Sequence, residues 1–339
     1  MMPRISWPRK ISSGLLLVYA ALVIGWAVAH QFVGDGYWLL ALFNGFAVYL
    51  FAPLPLAALL ALLARNRTAW LAWLSVALLF GALFGGDLLP PSPVARAGST
   101  DPALTVMTYN VLYTNTTAGP IATTVIATAP DVVAFQELTS SLAQQLEREI
   151  GTLYPYRTPM HPATCFAETA IWSRYPLRAE QVDEEILCRV SMAVVEIEGR
   201  AVRVVDVHAW PYTGLDRAAV ERGFRWRQEQ IEWVLGRVAG QPEPLLLLGD
   251  LNSAPMHTVY RTVAACMVDS FREAGWGLGH TFPATEGRAW NLPRPGRLVR
   301  IDHIFHSAAW RAEAAWVGEW DGQSDHLPVV ARLRLLQAD

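Results

Sequence analysis

Lysine is almost missing from this chain: Lys10 is the only one, and every other basic residue is arginine. We read this as genome composition, of the kind a high-GC bacterium has, and not as mechanism. Cysteine is scarce as well, with three in 339 residues, at 165, 188 and 266. They form no cluster, which argues against a cysteine-based structural zinc site. Charge is thin over residues 1–100, which hold 6 Lys/Arg and 2 Asp/Glu, a net +4. The remaining 239 residues are acidic, with 21 basic and 28 acidic groups and a net −7, giving −3 for the whole. An acidic second part argues against a non-specific nucleic-acid binder, which needs a basic face. A small substrate whose charge is met by a metal is not excluded. There is no internal repeat, and no low-complexity tract outside the apolar runs.

Those apolar runs dominate the start of the chain. Ile11 to Val33, Gly36 to Ala64 and Thr68 to Gly86 contain no Asp, Glu, Lys or Arg. A helix of about 20 apolar residues crosses a bilayer, so the sequence predicts three spans, with Pro53 and Pro55 placed to kink or shorten the second. Tyr37, Trp38, Trp70 and Trp73 lie near the run ends, where interfacial aromatics belong. Arg4, Arg9 and Lys10 followed by Ala27-Val28-Ala29 also fit a signal peptide. The first run is longer than a typical h-region, and we expect it to be retained. Arg4, Arg9, Lys10, Arg65 and Arg67 flank one side, and Asp35 and Asp87 the other. The positive-inside rule then places the N-terminus in the cytoplasm and residues 90–339 outside, in a multi-pass protein of a bacterial plasma membrane. The expected organisation is a membrane domain over 1–89, a linker over 90–102 marked by Pro90, Pro91, Pro93 and Gly98, and a second domain over 103–339. Cys165 and Cys188 lie at the edges of two successive strand-like runs in the exported part. They could pair in an oxidising compartment, or remain buried thiols.

Short β-rich runs recur from Leu104: 104–111, 132–137, 170–173, 191–197, 202–208, 245–252, 300–306 and 329–335. Helical patterns separate some of them, over 121–129, over 141–150 with a Ser-x-x-Gln start at Ser141, and over 216–238. Strands joined both directly and through helices imply two packed sheets flanked by helices.

Polar residues close these strands: Asn110, Glu137, His208, then Asp250 and Asn252 after an apolar Leu245–Leu248 run. Asp302 and His303 lie inside Arg300–Phe305, and Ser324-Asp325-His326 precedes the last strand. A lone strand-end carboxylate is usually a turn or cap residue. Repetition at many strand ends of one domain points to a shared site. The inventory is rich in oxygen ligands and suits Mg²⁺ or Mn²⁺.

The segments TYNV, FQE, SRYP, VVDVHAW, GDLNSAP, IDHIF and SDHLPVV, over about residues 103–336, resemble the endonuclease/exonuclease/phosphatase superfamily in order and spacing. With the three-span prefix, the whole chain resembles the membrane-anchored bacterial branch that includes VanJ-type glycopeptide-resistance proteins. The resemblance implies an α+β fold, a DNase I-like four-layer α/β/β/α sandwich, after three transmembrane helices. It implies Glu137 as the main metal-ligating carboxylate, with Asn110 near metal and substrate and Asp325 as a second acid. It makes Asp250 the group that orients or deprotonates water, with Asn252 beside it. It places His326 opposite the scissile phosphate, held by Asp302, and makes His208 a phosphate contact. Arg174, in SRYP, becomes a further substrate contact. Some nucleases of the superfamily carry an acid where this chain has Leu112, which puts a two-metal arrangement in doubt.

Other residues read differently. Alternation turns His303 away from Asp302 and into packing. His161, His257 and His306 show no partners in sequence. Arg222, Arg225 and Arg227, with Gln228, read as a solvated helix face, with an anion contact as the alternative. Residues 275–300 read as a substrate-side loop, with His280, Trp290 or Arg297 near the ligand. The function expected is a metal-dependent phosphohydrolase outside the membrane, acting on a lipid-linked phosphate or pyrophosphate such as undecaprenyl pyrophosphate. The partners expected are the bilayer and that lipid; the acidic second part disfavours nucleic acid, and the sequence implies no particular protein partner. The alternatives are a phospholipase C-like or sphingomyelinase-like phosphodiesterase, an extracellular nuclease, and a catalytically silent lipid-binding protein.

Overall fold

The computed structural model describes residues 7–90 and 103–336, apart from Thr213, Leu215, Trp290 and Asn291. The chain divides into two compact units, Met1–Leu89 and Pro90–Asp339. Residues 91–102 of the expected linker lie outside the described residues, as does Trp290.

The first unit contains α1 (Trp7–Val33), α2 (Trp38–Gly45), a 3-10 turn (Ala47–Phe51), α3 (Leu54–Ala64) and α4 (Arg67–Leu88). Three helical stretches, Arg9–Val33, Ala47–Ala64 and Arg67–Leu88, are long and apolar enough to cross a membrane. The expected second span is divided. The chain tightens into 3-10 geometry before Pro53 and restarts as α3 with proline in its first turn, where a missing N–H costs nothing. Asn66 then caps α4, its side chain accepting from the Ala69 amide at 2.9 Å. The packing is the reverse of a water-soluble bundle. Ala41, Ala61 and Ala69 are fully buried, whereas Phe32 is 84% and Leu22 69% exposed. Small residues let helix backbones approach, and large apolar ones facing outward are stable only against lipid or a covering surface. The polar groups inside are matched: Asn44 accepts from the Trp26 indole at 3.2 Å and donates to Asp35 at 2.8 Å.

The second unit has strands β1 (Ala103–Asn110), β2 (Val132–Thr139), β3 (Tyr156–Arg157), β4 (Ala167–Ser173), β5 (Leu177–Ala179), β6 (Val190–Ile197) and β7 (Arg200–His208). They continue as β8 (Leu245–Asp250), β9 (Val268–Asp269), β10 (Gly287–Ala289), β11 (Leu292–Arg294), β12 (Asp302–His306), β13 (Trp310–Val317) and β14 (Val329–Leu335). Its helices are α5 (Gly119–Thr128), α6 (Ser140–Ile150), α7 (Arg217–Val238), α8 (Thr258–Ala264) and α9 (Ser270–Ala274). One six-stranded sheet runs β13-β14-β1-β2-β4-β3, the other β5-β6-β7-β8-β12-β9, and β10-β11 form a separate hairpin. Each large sheet holds one parallel pair, β1–β2 and β7–β8, and each pair is joined through a helix, α5 or α7, as parallel strands require.

Alternation builds the layers. Val106, Val132 and Ala134 of one sheet meet Val204, Leu246, Leu248 and Ile304 of the other in a shared core. The opposite faces are covered by helices. Met107, Val133 and Phe135 pack with Ile121, Val125, Leu142 and Leu146 of α5 and α6. Val205, Val207 and Leu247 pack with Ile231, Val234 and Val263 of α7 and α8. The result is the expected α/β/β/α sandwich. Thr139, and not Ser141, caps α6, accepting from the Leu142 amide at 3.2 Å. The short strands and β13 were not expected from the sequence.

Candidate active site

The inner face of the second sheet carries a row of three chemical groups. Asp250 ends β8, with His208 as its register partner on the parallel strand β7 and Asp302 on the antiparallel strand β12. The same alternation that sends Leu246 and Leu248 into the core points these side chains inward at the mouth of the sandwich. Gly249 allows this close spacing. It has φ 139°, and a Cβ there would lie 1.9 Å from the Val207 carbonyl oxygen.

The first sheet supplies Asn110 and Glu137. Asn110 Nδ2 donates across the gap to Asp250 Oδ2 at 3.1 Å and to Glu137 Oε1 at 3.2 Å. Glu137 reaches the site because β2 is irregular between Phe135 and Leu138, and Glu137 itself has φ 58°. Strict alternation would have sent Glu137 to the helix-covered face; a bulge re-aims it. Its Oε2 accepts from the Tyr113 amide at 3.0 Å.

His326, from the loop between β13 and β14, completes the centre. Its Nδ1 donates to Asp302 at 2.9 Å, leaving Nε2 at 3.7 Å from Asp250 Oδ2. Burial alone would lower the His326 pKa, but the Asp302 and Asp250 carboxylates outweigh it and raise it. Burial also raises Asp250, against the pull of His326, and Asp302 raises it further. His208 moves the other way. Burial, then Arg189 and His326, hold it well below the usual imidazole range. Asn252 follows in a left-handed turn (φ 46°), its amide donating to Asp250 Oδ1 at 2.8 Å and its side chain to the Ala209 carbonyl at 2.9 Å.

Two sets of groups could hold a metal. Asp250, Asp302 and His326 bring one ligand atom each to within 4.8 Å of the others. The second set is Glu137 with Asp325. Asp325 Oδ1 is buried with no hydrogen-bond partner among the described residues, and burial, then Glu137 and Asp302, raise this carboxyl. An orphaned carboxylate oxygen beside a second acid fits a hard, oxygen-preferring cation. Each set has a committed member: Asp302 is held by His326, and both Glu137 oxygens accept from Asn110 and Tyr113, so Asp325 Oδ1 is the unpartnered oxygen of the two sets.

Arg174 is not part of this centre. Antiparallel pairing sets Ser173, at the end of β4, against Val132, at the start of β2, so Arg174 lies at the opposite end of β2 from Glu137. Its guanidinium faces the Tyr154 ring at 5.6 Å. Arg222 and Arg225 are exposed, as a solvated helix face would have them, but Arg227 is fully buried. Arg227 donates to the Gly223 and Asn252 carbonyls and lies over Tyr212, so it holds the loop after Asp250. His303 faces away from Asp302, bonded to the Ser253 carbonyl at 2.9 Å and packed on Tyr260. His161, His257 and His306 do have partners: Glu168, the Ala254 amide and Glu273. The 275–300 segment does border the centre. Phe282 packs on His326 with ring centroids 4.8 Å apart, Thr281 Oγ1 accepts from the Asp302 amide, and His280 bonds to the Arg297 carbonyl.

Three contributors escaped the sequence reading. Asp206 lies one inward position below His208, fully buried, accepting from Gln136 at 2.6 Å across the sheets. Burial raises its pKa well above the carboxylate range. Alternation along β7 could have found it. Phe282 gave no signal. Neither did Arg189, which follows Cys188 in a turn. Cys165 and Cys188 are joined, with Sγ–Sγ at 2.04 Å.

A buried carboxylate flanked by two histidines, one of them held by a second carboxylate, and two further acids are gathered at one mouth of a two-sheet sandwich. The family model for the Endonuclease/Exonuclease/phosphatase family matches residues 107–326, and the chain belongs to that family, whose members are metal-dependent phosphoester hydrolases. It is similar to an endonuclease/exonuclease/phosphatase from Beutenbergia cavernae DSM 12333, with 25% identity and a TM-score of 0.51 over 70% of this chain and 72% of that one. Sphingomyelinase C from Streptomyces griseocarneus shares the fold at 21% identity and a TM-score of 0.50, over 68% of this chain and 99% of the other. So does D. rerio TDP2 complexed with a single-strand DNA product, at 17% identity and a TM-score of 0.50, over 69% of this chain and 100% of the other. No curated protein matches the chain.

Proposed function

We propose that the protein is a phosphohydrolase on the extracytoplasmic face of a bacterial plasma membrane, cleaving a lipid-linked phosphate or pyrophosphate of the undecaprenyl pyrophosphate kind. The observation that carries this reading is the row His208–Asp250–Asp302, closed by Glu137 and His326, in a chain whose first unit exposes large apolar side chains on membrane-length helices. Glu137 and Asp325, with Asn110 beside them, would hold Mg²⁺ or Mn²⁺, which when bound takes up charge developing on the phosphoryl oxygens. Asp250 orients the attacking water and accepts its proton, helped by a pKa that burial raises toward neutrality. His326, kept protonated by Asp302, donates from Nε2 to a non-bridging oxygen or to the leaving oxygen. Asn110 and neutral His208 add uncharged donors, and Asn252 fixes the Asp250 carboxylate. Three spans carry the chain across the membrane an odd number of times, and the basic flanks put the catalytic unit outside.

The test is parallel assay of the purified full-length protein with Mg²⁺ on a polyprenyl pyrophosphate, sphingomyelin and plasmid DNA. Phosphate release from the first alone is expected, and it disappears in Asp250→Ala and His326→Ala. Choline-phosphate release or plasmid nicking without lipid phosphate release refutes this substrate, and full activity in either variant refutes the mechanism.

A further inference from the structure

Beside the catalytic centre is a cavity of about 300 Å³, near the lower end of small-ligand pockets. Glu137 and His208 line it on the side of the chemistry, with Tyr113, Phe166, Arg189 and the Cys165–Cys188 bridge around them. Arg189 is the cation in this wall. Its Nη1 is 3.4 Å from His208 Nδ1, and its guanidinium stacks on Trp210 at 4.1 Å. Several arginines of this unit are matched by acids: Arg157 by Glu147, Arg203 by Glu180 and Glu243, Arg300 by Asp269, Arg334 by Glu313; Arg227 is instead spent on backbone carbonyls away from this cavity. Among the described residues Arg189 forms no ion pair. Its backbone is fixed at three points: its amide donates to the Ile186 carbonyl at 2.8 Å, its carbonyl accepts from the His208 amide at 2.8 Å, and Cys188 is covalently tied to Cys165. A half-buried guanidinium, anchored and stacked, that feels the Glu137 and Asp250 charges without pairing directly with either, keeps its donors for a phosphoryl oxygen.

We propose that Arg189 is a specificity-determining residue that binds a second phosphoryl group, next to the one attacked, so that the site prefers a diphosphate to a single phosphate ester. The inference rests on the lipid pyrophosphate reading and deepens it. Water's oxygen bonds to the terminal phosphorus as that phosphorus releases the bridging oxygen. The bridging oxygen departs with the bonding electron pair as the lipid monophosphate, and the water proton passes to Asp250. Arg189 meets the charge that collects on the departing phosphate. The same guanidinium donates to His208 Nδ1, which places the His208 proton on Nε2, facing the reacting group.

Binding of inorganic pyrophosphate and of phosphate, each with saturating Mg²⁺, to wild type, Arg189→Gln and Arg189→Lys tests this by titration calorimetry on the full-length protein. Wild type is expected to bind pyrophosphate the more tightly. Arg189→Gln weakens pyrophosphate about ten-fold or more, the size of a lost charge-assisted hydrogen bond, and phosphate less than about three-fold; Arg189→Lys recovers part of the difference. Equal weakening of both ligands, or no weakening, overturns the assignment. If Arg189→Gln fails to fold, Arg189→Lys carries the test, with a smaller loss confined to pyrophosphate expected and a uniform loss refuting. Turnover is scored apart: a wild type with the Arg189-dependent pyrophosphate preference that releases nothing from a lipid pyrophosphate refutes the substrate reading and supports the Arg189 subsite.

Discussion

His326 and His208 stand on opposite flanks of Asp250, 3.7 and 3.8 Å from the same carboxylate oxygen. Both are buried, yet their pKa values move in opposite directions. The difference lies behind the ring. His326 turns Nδ1 to the Asp302 carboxylate, whereas His208 turns Nδ1 to the Arg189 guanidinium. One flank therefore offers a proton and the other a neutral donor. Residue type fixes what a side chain can do, and the atom behind it decides which of those things it does.

The largest break in this contrast is Asp302→Asn, which removes the charge behind His326. We expect kcat to fall roughly 10³–10⁴-fold, as in other carboxylate-held histidines, with the alkaline limb of the kcat–pH profile, where His326 loses its proton, moving to lower pH. Next is His208→Ala, which removes one neutral donor and costs about 10²-fold in kcat. Because His208 is uncharged in the folded protein, the shape of the pH profile stays as in wild type; a lost limb refutes the assignment. The third is Cys165→Ser with Cys188→Ser, which loosens the His208 flank alone. Opening a loop of 23-residue separation lowers stability by about 3 kcal/mol, read as a drop in Tm. KM rises more than kcat falls, and a larger kcat effect than in His208→Ala places the bridge wrongly.

The smallest is a pH effect on the reverse side of the His326 flank. His303 is driven by burial to about 4, from about 6.5 unfolded. The unfolded chain thus takes up this proton first, so stability present above about pH 6.5 is lost as pH falls toward 4, by on the order of 1–3 kcal/mol. Denaturant unfolding of His303→Gln should show that slope flattened, and an unchanged slope would remove His303 as its source.

The two flanks were not equally legible in the sequence. Asp250 and Asp302 follow from alternation along apolar strands, and so does His303 facing away. Glu137 does so only in part: its place at a strand-like run's end made it a candidate, but alternation pairs it with the outer face of β2 and only the family resemblance gave it a metal-side role, because a left-handed residue in a strand leaves no composition signal. Arg174 failed for a related reason, since a strand end says nothing about which end of the sheet it reaches until pairing direction is known. Arg189 sits in turns, where no periodicity operates. Arg227 was misread although it lies in line with Phe224 and Ile231 on the apolar stripe of α7; charge was allowed to outweigh position. Half of the apolar residues of β13 are alanines and its alternation is broken by a register shift between Ala312 and Ala314, which left too little pattern to mark a strand. In the first unit, length and hydropathy were enough to find three helical stretches of membrane-crossing length, but the division of the second depended on how the backbone negotiates Pro53.

Gly249 sets a mechanical limit on all of this. Side-chain packing can creep when temperature rises or a neighbour changes, but the spacing between His208 and Asp250 is stopped by backbone against backbone, with no room at position 249 for even a methyl group. Such a stop has almost no compliance. The loops around the mouth can vary in length and composition while the gap between these two side chains keeps one gauge.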